Sequence, residues 1–397
     1  MSEPRRPRIG ITSFATPGGS GIVATELGLH LAARGYEIHF ISSSLPARLS
    51  PFTPNVIFHE VETSSYPPFP HAPYSLALAT KMTEVARFHE LDILHVHYAI
   101  PHAASAFLAK EMIAPRPLAT ITTLHGTDIT LVGREPSFFP LTRFVIERSD
   151  AVTAVSAFLE RETMDTFQVR QPVRVIPNFV DTKRFKPRPD LRASNPLAPN
   201  GERLLIHASN LRPVKNVDRV VTVFAQVRQQ IPCKLVVVGD GPDRGPAQRL
   251  GQRLGVEEDM VFLGNQESVE ELIAMADVML LPSEHESFGL VALEAMSCGT
   301  PVVASNRGGL PELLEHGETG FLHSPTDVDV QADSVLSLLR DDALHARVGQ
   351  RAREVAVERY CVRCVITQYM ELYDEVLARV RGESTAALGP DAANASG

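Results

Sequence analysis

The chain has 397 residues, of which 44% are hydrophobic and 21% charged, and its formal net charge is −9 at pH 7. This length exceeds one hydrophobic core and predicts two domains, while the acidic balance argues against nonspecific binding to nucleic acid, which needs a basic surface. The 4 cysteines are too few and too scattered for a disulfide framework, and the lone Cys361-x-x-Cys364 lacks the second pair that a structural zinc site needs.

Residues 1–7 lack the apolar region of a signal peptide, and no apolar stretch approaches the ~20 residues that cross a bilayer. We therefore expect a cytoplasmic protein with no stable membrane association. The sequence leaves open whether copies of the chain form a homo-oligomer.

Apolar runs of strand length alternate with helical patterns along the chain, which predicts parallel sheets covered by helices on both faces. In the first half, strands are predicted at residues 8–14, 37–42, 55–61, 92–97, 118–124, 151–155 and 173–176, and a helix at 22–34 ends at Gly35. In the second half, strands are predicted at 203–208, 234–238, 260–263, 277–281 and 301–304, followed by helices at 327–340, 343–358 and 361–381.

The pattern predicts an α/β protein with two doubly wound, Rossmann-like domains at residues 1–182 and 203–360. Proline, glycine and basic residues between them predict a linker at 183–202. A helix at 361–382 and a disordered tail at 383–397, rich in Ala, Gly and Ser, follow. Ligands of such sheets bind beyond the carboxyl ends of the strands, so we expect the chemistry in the loops found there.

A glycine-rich loop at residues 16–21 separates the first strand from the first helix. Its glycines let the backbone approach a ligand, and the helix offers free N–H groups to a phosphate. The loop has neither the Walker lysine nor dinucleotide-binding spacing, which argues against a P-loop nucleotidase and a dehydrogenase. A tight turn without a ligand is an equally good interpretation of this loop alone.

Histidines follow or occupy two further strands of the first half. His125 precedes Gly126 at a strand end, where an imidazole can bond a sugar hydroxyl. His95 and His97 share one face of a strand, and because no third ligand is near, a packed or hydrogen-bonded pair is favoured over a metal site.

Two loops of the second half carry charged residues that are candidates for binding roles. Arg212 and Lys215 lie where a helix begins and would act on a pyrophosphate together with its dipole, although surface charges are the alternative. Glu286 and Glu294 would be about 12 Å apart if both were helical, whereas the carboxylates of retaining glycosidases are ~5 Å apart. Two binding roles therefore fit better than a hydrolase pair.

An Asp-x-Asp at residues 327–329 could indicate a metal-dependent transferase of another fold. Because Thr326 and Asp329 have the spacing of a capping box at a helix start, we expect capping instead.

Together these loops resemble the retaining glycosyltransferases of family 4, which have the GT-B fold. The Glu-x7-Glu signature of that family is present as Glu286 to Glu294, with Phe288-Gly289 inside it and Cys-Gly-Thr-Pro-Val-Val at 298–303 after it. The resemblance covers nearly the whole chain. It implies two Rossmann-like domains with a cleft between them, and a last helix, at 361–382, that crosses back onto the first domain.

Two departures from the common family pattern narrow the assignment. Ser209-Asn210 stands where many members have Gly-Arg, so Arg212 is the candidate for the missing arginine's role, and Phe179-Val180 stands where many have Gly-Val. With the segments at 95–102 and 122–130, these variants resemble members that begin bacillithiol biosynthesis. This implies UDP-N-acetylglucosamine as donor, L-malate as acceptor, retention at the anomeric carbon, and no required metal or other cofactor.

The resemblance also implies roles for individual residues. The catalytic set is Glu286, His125 and Lys215. The donor-binding set adds Gly19, Asn210, Arg212, Phe288, Gly289, Leu290 and Glu294. The acceptor-binding set is Ser20, Tyr98, Thr123, Arg143 and Asn178.

Three alternatives remain open at this stage. The first is a family-4 enzyme with another acceptor, such as an inositol phosphate or a lipid-linked sugar. The second is a UDP-N-acetylglucosamine 2-epimerase, since the same architecture serves that reaction. The third is a noncatalytic nucleotide-sugar binder.

Overall fold

A computed structural model describes residues 5–15, 18–50, 52–63, 72–193 and 195–382. Its strands form two parallel sheets. The chain divides into unit 1, made of residues 1–154, 163–174 and 366–397, and unit 2, made of 155–162 and 175–365. The predicted tail at 383–397 lies outside the described residues. No described helix is both long enough and apolar enough to cross a membrane.

The first sheet has seven strands in the order β3-β2-β1-β4-β5-β6-β7. Its strands pair in parallel, for example Ile9 with Ile38 of β2 and with Ile93 of β4. The elements in chain order are β1 (Arg8–Thr12), α1 (Gly19–Ala32), β2 (Glu37–Ser42), β3 (Val56–Glu60), α2 (Tyr74–Phe88), β4 (Ile93–His97), α3 (Ala104–Ile113), β5 (Ala119–Leu124), α4 (Thr127–Thr130), α5 (Phe139–Arg148), β6 (Ala151–Ala154), α6 (Ala157–Phe167) and β7 (Val173–Val175).

The second sheet has six strands in the order β10-β9-β8-β11-β12-β13 and is also parallel. The elements are α7 (Pro189–Ala193), β8 (Arg203–Ala208), α8 (Val217–Arg228), β9 (Cys233–Val238), α9 (Arg244–Leu254), β10 (Met260–Gly264), α10 (Glu270–Met275), β11 (Val278–Leu281), α11 (Leu290–Cys298), β12 (Val302–Ser305), α12 (Leu310–Leu313), β13 (Phe321–His323), α13 (Val328–Arg340), α14 (Asp342–Arg359) and α15 (Val362–Arg381).

Helices cover both sheets, so central strands such as β1 and β11 are buried and mostly apolar, whereas edge strands such as β3 and β13 are only partly buried. Residues of α8 and α13, such as Phe224 and Val335, pack with Leu235 of β9 in one continuous core of unit 2. In unit 1, α1 approaches β2 so closely that a Cβ on Gly28 would lie 2.5 Å from the ring of Phe40. Glycine is therefore required at this crossing.

The α/β doubly wound architecture is confirmed. Beyond shifts of one or two residues at the ends of elements, the observed elements differ from the predicted ones in three places. Helix α1 begins at Gly19 rather than at residue 22, and a strand was missed at Phe321–His323. The predicted linker contains α7. The strand β13 escaped notice because three partly buried residues are too short for a periodic signal.

The unit boundaries also differ from the predicted domain boundaries. Residues 155–162 and 175–182 belong to unit 2, although we placed them in the first domain. Residues 155–162 are held in unit 2 by Glu312, because its carboxylate accepts hydrogen bonds from the backbone N–H groups of Ala157 (2.8 Å) and Phe158 (2.5 Å). Helix α15 starts in unit 2 and belongs to unit 1 from Ile366 onward.

The capping box predicted at the start of α13 is wrong. Asp327 is the N-cap residue and makes no side-chain capping bond. The carboxylate of Asp329 instead accepts a hydrogen bond of 2.7 Å from the side chain of Gln226 on α8.

Candidate active site

In unit 1 the strand order reverses between β1 and β4, so the loops after these strands border the position where such sheets bind ligands. The loop after β1 leads to Gly18, the extended N-cap residue of α1, which has no side chain to cap the helix. The first-turn N–H groups of this helix can therefore serve an anion. Ser20, in that turn, donates a hydrogen bond of 3.2 Å to the hydroxyl of Tyr98. The structure thus brings together two predicted acceptor residues, Ser20 and Tyr98.

Tyr98 directly follows β4 and has a left-handed backbone conformation, with φ of 89°. This conformation is costly for a tyrosine, by about 1–3 kcal/mol, and such strain concentrates at functional sites. Its N–H donates to the carbonyl of Thr123 (2.9 Å), and its ring lies against Phe14 and His125, with centroids 5.1 and 5.5 Å away. The neighbouring strand and these rings hold the strained residue in place.

His125 lies in a turn that Asp128 fixes. The buried Asp128 carboxylate accepts hydrogen bonds from the N–H groups of His125 (3.2 Å), Gly126 (2.9 Å) and Ala99 (3.1 Å). Burial raises the pKa of Asp128, and these backbone hydrogen bonds act in the opposite direction. Asp128 therefore ties the turn after β5 to the segment after β4. We did not predict this role, although the spacing His125-Gly126-Thr127-Asp128 was its signal.

The imidazole of His125 is neutral and its orientation is defined. Burial, with a smaller effect of His102, lowers its pKa to about 3. Its Nε2 is 2.8 Å from Nδ1 of His97, whose own Nε2 is buried without a partner among the described residues. An unpaired lone pair costs less there than an unpaired N–H, so we assign the His97 proton to Nδ1. His125 then accepts at Nε2 and presents Nδ1–H as a donor.

His95 is a structural residue, and so is Thr123. The Nδ1 of His95 is 2.7 Å from the hydroxyl of Tyr373, and its Nε2 is 2.7 Å from Oγ1 of Thr123. Thr123 is fully buried and also bonds Thr153, 2.7 Å away. The packed pair that the sequence favoured for His95 and His97 is confirmed, with ring centroids 4.6 Å apart. The hydroxyl of Thr123 is enclosed and occupied by these contacts, and its role toward the acceptor stays a prediction.

Arg143 is exposed on α5, where a guanidinium can meet a carboxylate from solution. The structure gives it one long contact, 3.5 Å, to the carbonyl of Gln168. Its role toward the acceptor stays a prediction.

In unit 2 the strand order reverses between β8 and β11, and the loops after these strands contain the predicted donor residues. Lys215 ends a short turn at Pro213–Lys215, and Glu286 lies in the loop after β11. Their Nζ and Oε2 atoms are 2.6 Å apart, and the side chains are only 18% and 17% exposed. Asn216 joins the same two loops by donating to the carbonyl of Pro282 (2.8 Å). The structure thus joins two of the three predicted catalytic residues as an ion pair.

Ser209 shapes the loop that carries the exposed Asn210 and Arg212. The hydroxyl of Ser209 lies 2.8 Å from Nε2 of His207 and accepts from the N–H of Leu211 (3.2 Å). This bonding makes Ser209 structural and leaves the exposed Asn210 and Arg212 as the polar side chains for a ligand. Which of them takes the place of the family's arginine stays a prediction.

The loop of Glu286 is shaped by glycines. Gly289 has a left-handed backbone (φ 94°) and is the N-cap residue of α11, so the N–H groups from Leu290 onward start that helix. Gly308 packs on the carbonyl of Glu286, where an added Cβ would lie 2.1 Å from the oxygen, and Gly309 donates to that carbonyl (2.7 Å). We did not predict Gly308 or Gly309, because their partner is distant in sequence and a local pattern does not report such a contact.

Three further predicted residues of unit 2 are buried. Glu294 is 7% exposed in α11, while Glu286 precedes that helix, so the two glutamates occupy different elements as expected for separate roles. The ring of Phe288 packs against Tyr360, with centroids 5.8 Å apart, which leaves its backbone for a ligand. Asn178 is buried with Oδ1 unpartnered among the described residues and belongs to unit 2 rather than to the acceptor-side domain where we placed it.

Comparison with protein families agrees with this arrangement. Residues 17–184 match the model described as Glycosyltransferase Family 4, and residues 189–355 match the one described as Glycosyl transferases group 1. The two matches cover both sets of loops described above.

Individual relatives point the same way. The chain is 48% identical over 371 residues to the N-acetyl-alpha-D-glucosaminyl L-malate synthase of Bacillus anthracis, covering 93% of this chain and 97% of the relative. It is 31% identical over 299 residues to the GDP-mannose-dependent alpha-(1-6)-phosphatidylinositol monomannoside mannosyltransferase of Mycolicibacterium smegmatis, covering 71% of this chain and 76% of the relative.

A solved structure shares the fold. HepE of Anabaena, in complex with UDP and glucose, has a TM-score of 0.77 to this chain at 24% identity, covering 93% of this chain and 100% of the other. With a relative at 48% identity over nearly its full length, the chain belongs to glycosyltransferase family 4 and is a glycosyltransferase of the GT-B fold.

Proposed function

We propose that this enzyme transfers N-acetylglucosamine from UDP-N-acetylglucosamine to the hydroxyl of L-malate, with retention and without a metal, as the first step of bacillithiol biosynthesis. The observation that carries the proposal is the 48% identity, over 93% of the chain, to a relative named for that product. The glycosidic bond of the donor has the α configuration, as does the product in the relative's name. Donor and product therefore share their anomeric configuration.

Unit 2 would bind the donor. Glu294 would hold the ribose, Arg212 and Lys215 the diphosphate, and Glu286 with the backbone of residues 288–290 the hexose. Lys215 is suited to this because its ammonium is already held by Glu286 at 2.6 Å, so a cation is in place before the diphosphate arrives. The start of α11 adds N–H groups for the developing charge.

Unit 1 would orient the acceptor and the transferred sugar. His125, neutral because of its lowered pKa, would donate a hydrogen bond from Nδ1 to a sugar hydroxyl rather than serve as a cation. Ser20 and Tyr98 would donate or accept at the malate hydroxyl and carboxylates, and Arg143 would bind a carboxylate in bidentate fashion. The N–H groups at Gly19 would serve a phosphate.

The bond between the anomeric carbon and the phosphate oxygen breaks, and its electron pair leaves with UDP. The malate oxygen forms the new bond on the same face, and its proton passes to the departing phosphate oxygen. No side chain then has to act as the base. The residues named above contribute by position and charge, because fixed charges and N–H groups stabilise the negative charge that develops on the departing diphosphate.

The test is the mass of the product after the pure protein is incubated with UDP-N-acetylglucosamine and L-malate in the presence of a chelator. We expect glycosylated malate and one UDP per product. Succinate, which lacks the hydroxyl, is the matched control and should give no product.

Other outcomes separate the alternatives. Conversion of the donor without an acceptor would indicate an epimerase, and product with an inositol phosphate or lipid-linked sugar but not with malate would identify another transferase. Donor binding without turnover on any acceptor would indicate a noncatalytic binder. Turnover that requires a divalent metal would contradict the metal-free mechanism.

A further inference from the structure

Three imidazoles lie together in unit 1, away from the switch point between β1 and β4. His39 lies on β2, His59 on the edge strand β3, and His89 directly follows α2. Each offers a ring nitrogen, and these three atoms all lie within 4.8 Å of one another. Among the described residues this is the one group of three or more histidine, cysteine or acidic side chains arranged in this way. The proposed reaction uses none of the three.

The distances are close to those of a metal site. Nδ1 of His39 is 2.9 Å from Nε2 of His59, and the ring of His89 lies 4.4 and 5.1 Å from those of His39 and His59. Zinc–nitrogen bonds of about 2.0–2.1 Å in a tetrahedron place ligand nitrogens about 3.3 Å apart. To bind zinc, the nitrogens of His39 and His59 would therefore move slightly apart, and the two nitrogens that are farthest from each other would approach by about 1.5 Å.

Glu37 orients His39 in the way that carboxylates orient metal-binding histidines. Its Oε1 lies 3.0 Å from Nε2 of His39, so that nitrogen donates to the carboxylate and the lone pair of Nδ1 points toward His59. A carboxylate on the outer nitrogen of a ligating histidine fixes the tautomer and strengthens the ligand. Arg8 connects Glu37 with His89, because it pairs with the Glu37 carboxylate at 3.3 Å and donates a hydrogen bond to the backbone carbonyl of His89 at 2.9 Å.

The charges around the cluster permit a cation. Arg8 and Lys81 are the basic side chains that act on these histidines, and each is paired with carboxylates, Arg8 with Glu37 and Glu90 and Lys81 with Glu84.

We propose that His39, His59 and His89 bind one zinc ion, with Glu37 orienting His39 and a water molecule in the fourth position. Three imidazoles and one water molecule are a ligand set that zinc accepts. The ion would tie β2, β3 and the end of α2 together. It would lie at the β3 edge of the sheet and not at the switch point between β1 and β4, so it would take no part in the proposed transfer.

The experiment is a titration of the full chain, freed of metal by a chelator, with Co²⁺ as the spectroscopic probe. We expect one equivalent to bind with the visible d–d absorption of tetrahedral cobalt, without a thiolate-to-cobalt charge-transfer band, and Zn²⁺ to displace it. His59→Gln and His89→Gln should each weaken binding at least 100-fold, and Glu37→Gln by about 10–100-fold. His316→Gln is the matched control, because His316 is exposed and lies beside His323 (5.2 Å) in unit 2.

Thermal unfolding separates a lost ligand from a lost fold. Without metal, the two histidine variants should unfold near the wild-type temperature, and only the wild type and His316→Gln should gain stability on adding Zn²⁺. Stoichiometric binding that persists in both histidine variants, or a thiolate band that assigns the metal to cysteines, would overturn the proposal. So would the absence of stoichiometric binding, which would leave His39 and His59 as a hydrogen-bonded pair only. None of these readouts depends on transferase activity.

Discussion

Replacing Lys215 by alanine tests the electrostatic part of the mechanism most directly. At 2.6 Å and an effective dielectric constant of about 20, the gross attraction between Lys215 and Glu286 is on the order of 6 kcal/mol. Desolvation of the two charges offsets much of it, but removal of one partner leaves the other charge unpaired, at a cost of about 3–5 kcal/mol. The unpaired carboxylate would also repel the donor diphosphate. Together with the lost cation, this should lower kcat by at least about 10²–10³-fold.

The assay is steady-state UDP release, with donor affinity measured separately by calorimetry. The exposed Lys183→Ala is the control and should retain wild-type turnover. The double variant Lys215→Ala with Glu286→Gln, compared with Glu286→Gln alone, distinguishes two roles for the lysine. If Lys215 only neutralises Glu286, its removal should cause no further loss of turnover once Glu286 is uncharged, whereas a lysine that also holds the diphosphate should lower turnover further, which is the result we expect. Turnover of Lys215→Ala within threefold of wild type would refute the reasoning.

Three further predictions concern the acceptor, a glycine and the pH dependence of stability. Arg143→Ala should raise KM for malate by about 10–100-fold, the loss of one charge-assisted contact, and leave KM for the donor unchanged; Arg148→Ala on the same helix is the control. Gly308→Ala should lower the free energy of unfolding by about 2–4 kcal/mol, measured with urea, because φ is 65° and the new Cβ would meet the carbonyl of Glu286 at 2.1 Å. Burial lowers the pKa of three fully buried histidines of unit 1, to about 3 for His95, to about 4 for His102 and well below the usual value for His97. Each imidazole is therefore neutral in the folded protein and takes up a proton when the protein unfolds below pH 6.5. Stability from this source is full above pH 6.5 and falls by about 2 kcal/mol per histidine between pH 6.5 and 5.

Each has an outcome that would contradict it. Equal malate KM values for the two arginine variants would remove Arg143 from the acceptor site. A Gly308→Ala protein as stable as wild type would mean that the backbone there can relax. Urea unfolding that takes up no protons between pH 6.5 and 5 would show that the three histidines already carry charge in the folded protein.

The sequence by itself determined the fold class and the position of the functional loops. Alternating apolar runs and helical patterns require parallel sheets, and ligands of such sheets bind where strands end. For this reason the loops that hold Glu286, Lys215 and His125 could be selected before any distance was known, and the family resemblance then implied the roles of these residues. The strand end before Glu286 and the helix start at Phe288-Gly289 also predicted that Glu286 lies in a loop and Glu294 in the helix after it, as the structure has it.

Only the tertiary structure decided which side chains meet. Thr123 and Tyr98 were both predicted to contact the acceptor, but one hydroxyl is enclosed by His95 and Thr153 while the other bonds Ser20. Strand pairing decides this, and a period-2 pattern does not state which neighbour a side chain meets.

The same limit applies to contacts between residues that are distant in sequence. Gly308 supports the carbonyl of Glu286, Glu312 caps the segment at 157–158, and His39, His59 and His89 converge from three elements. None of these contacts produces a local pattern in the sequence, because each depends on how distant helices and strands pack together in the folded chain. Local periodicity sets the elements, and packing sets the chemistry that they bring together.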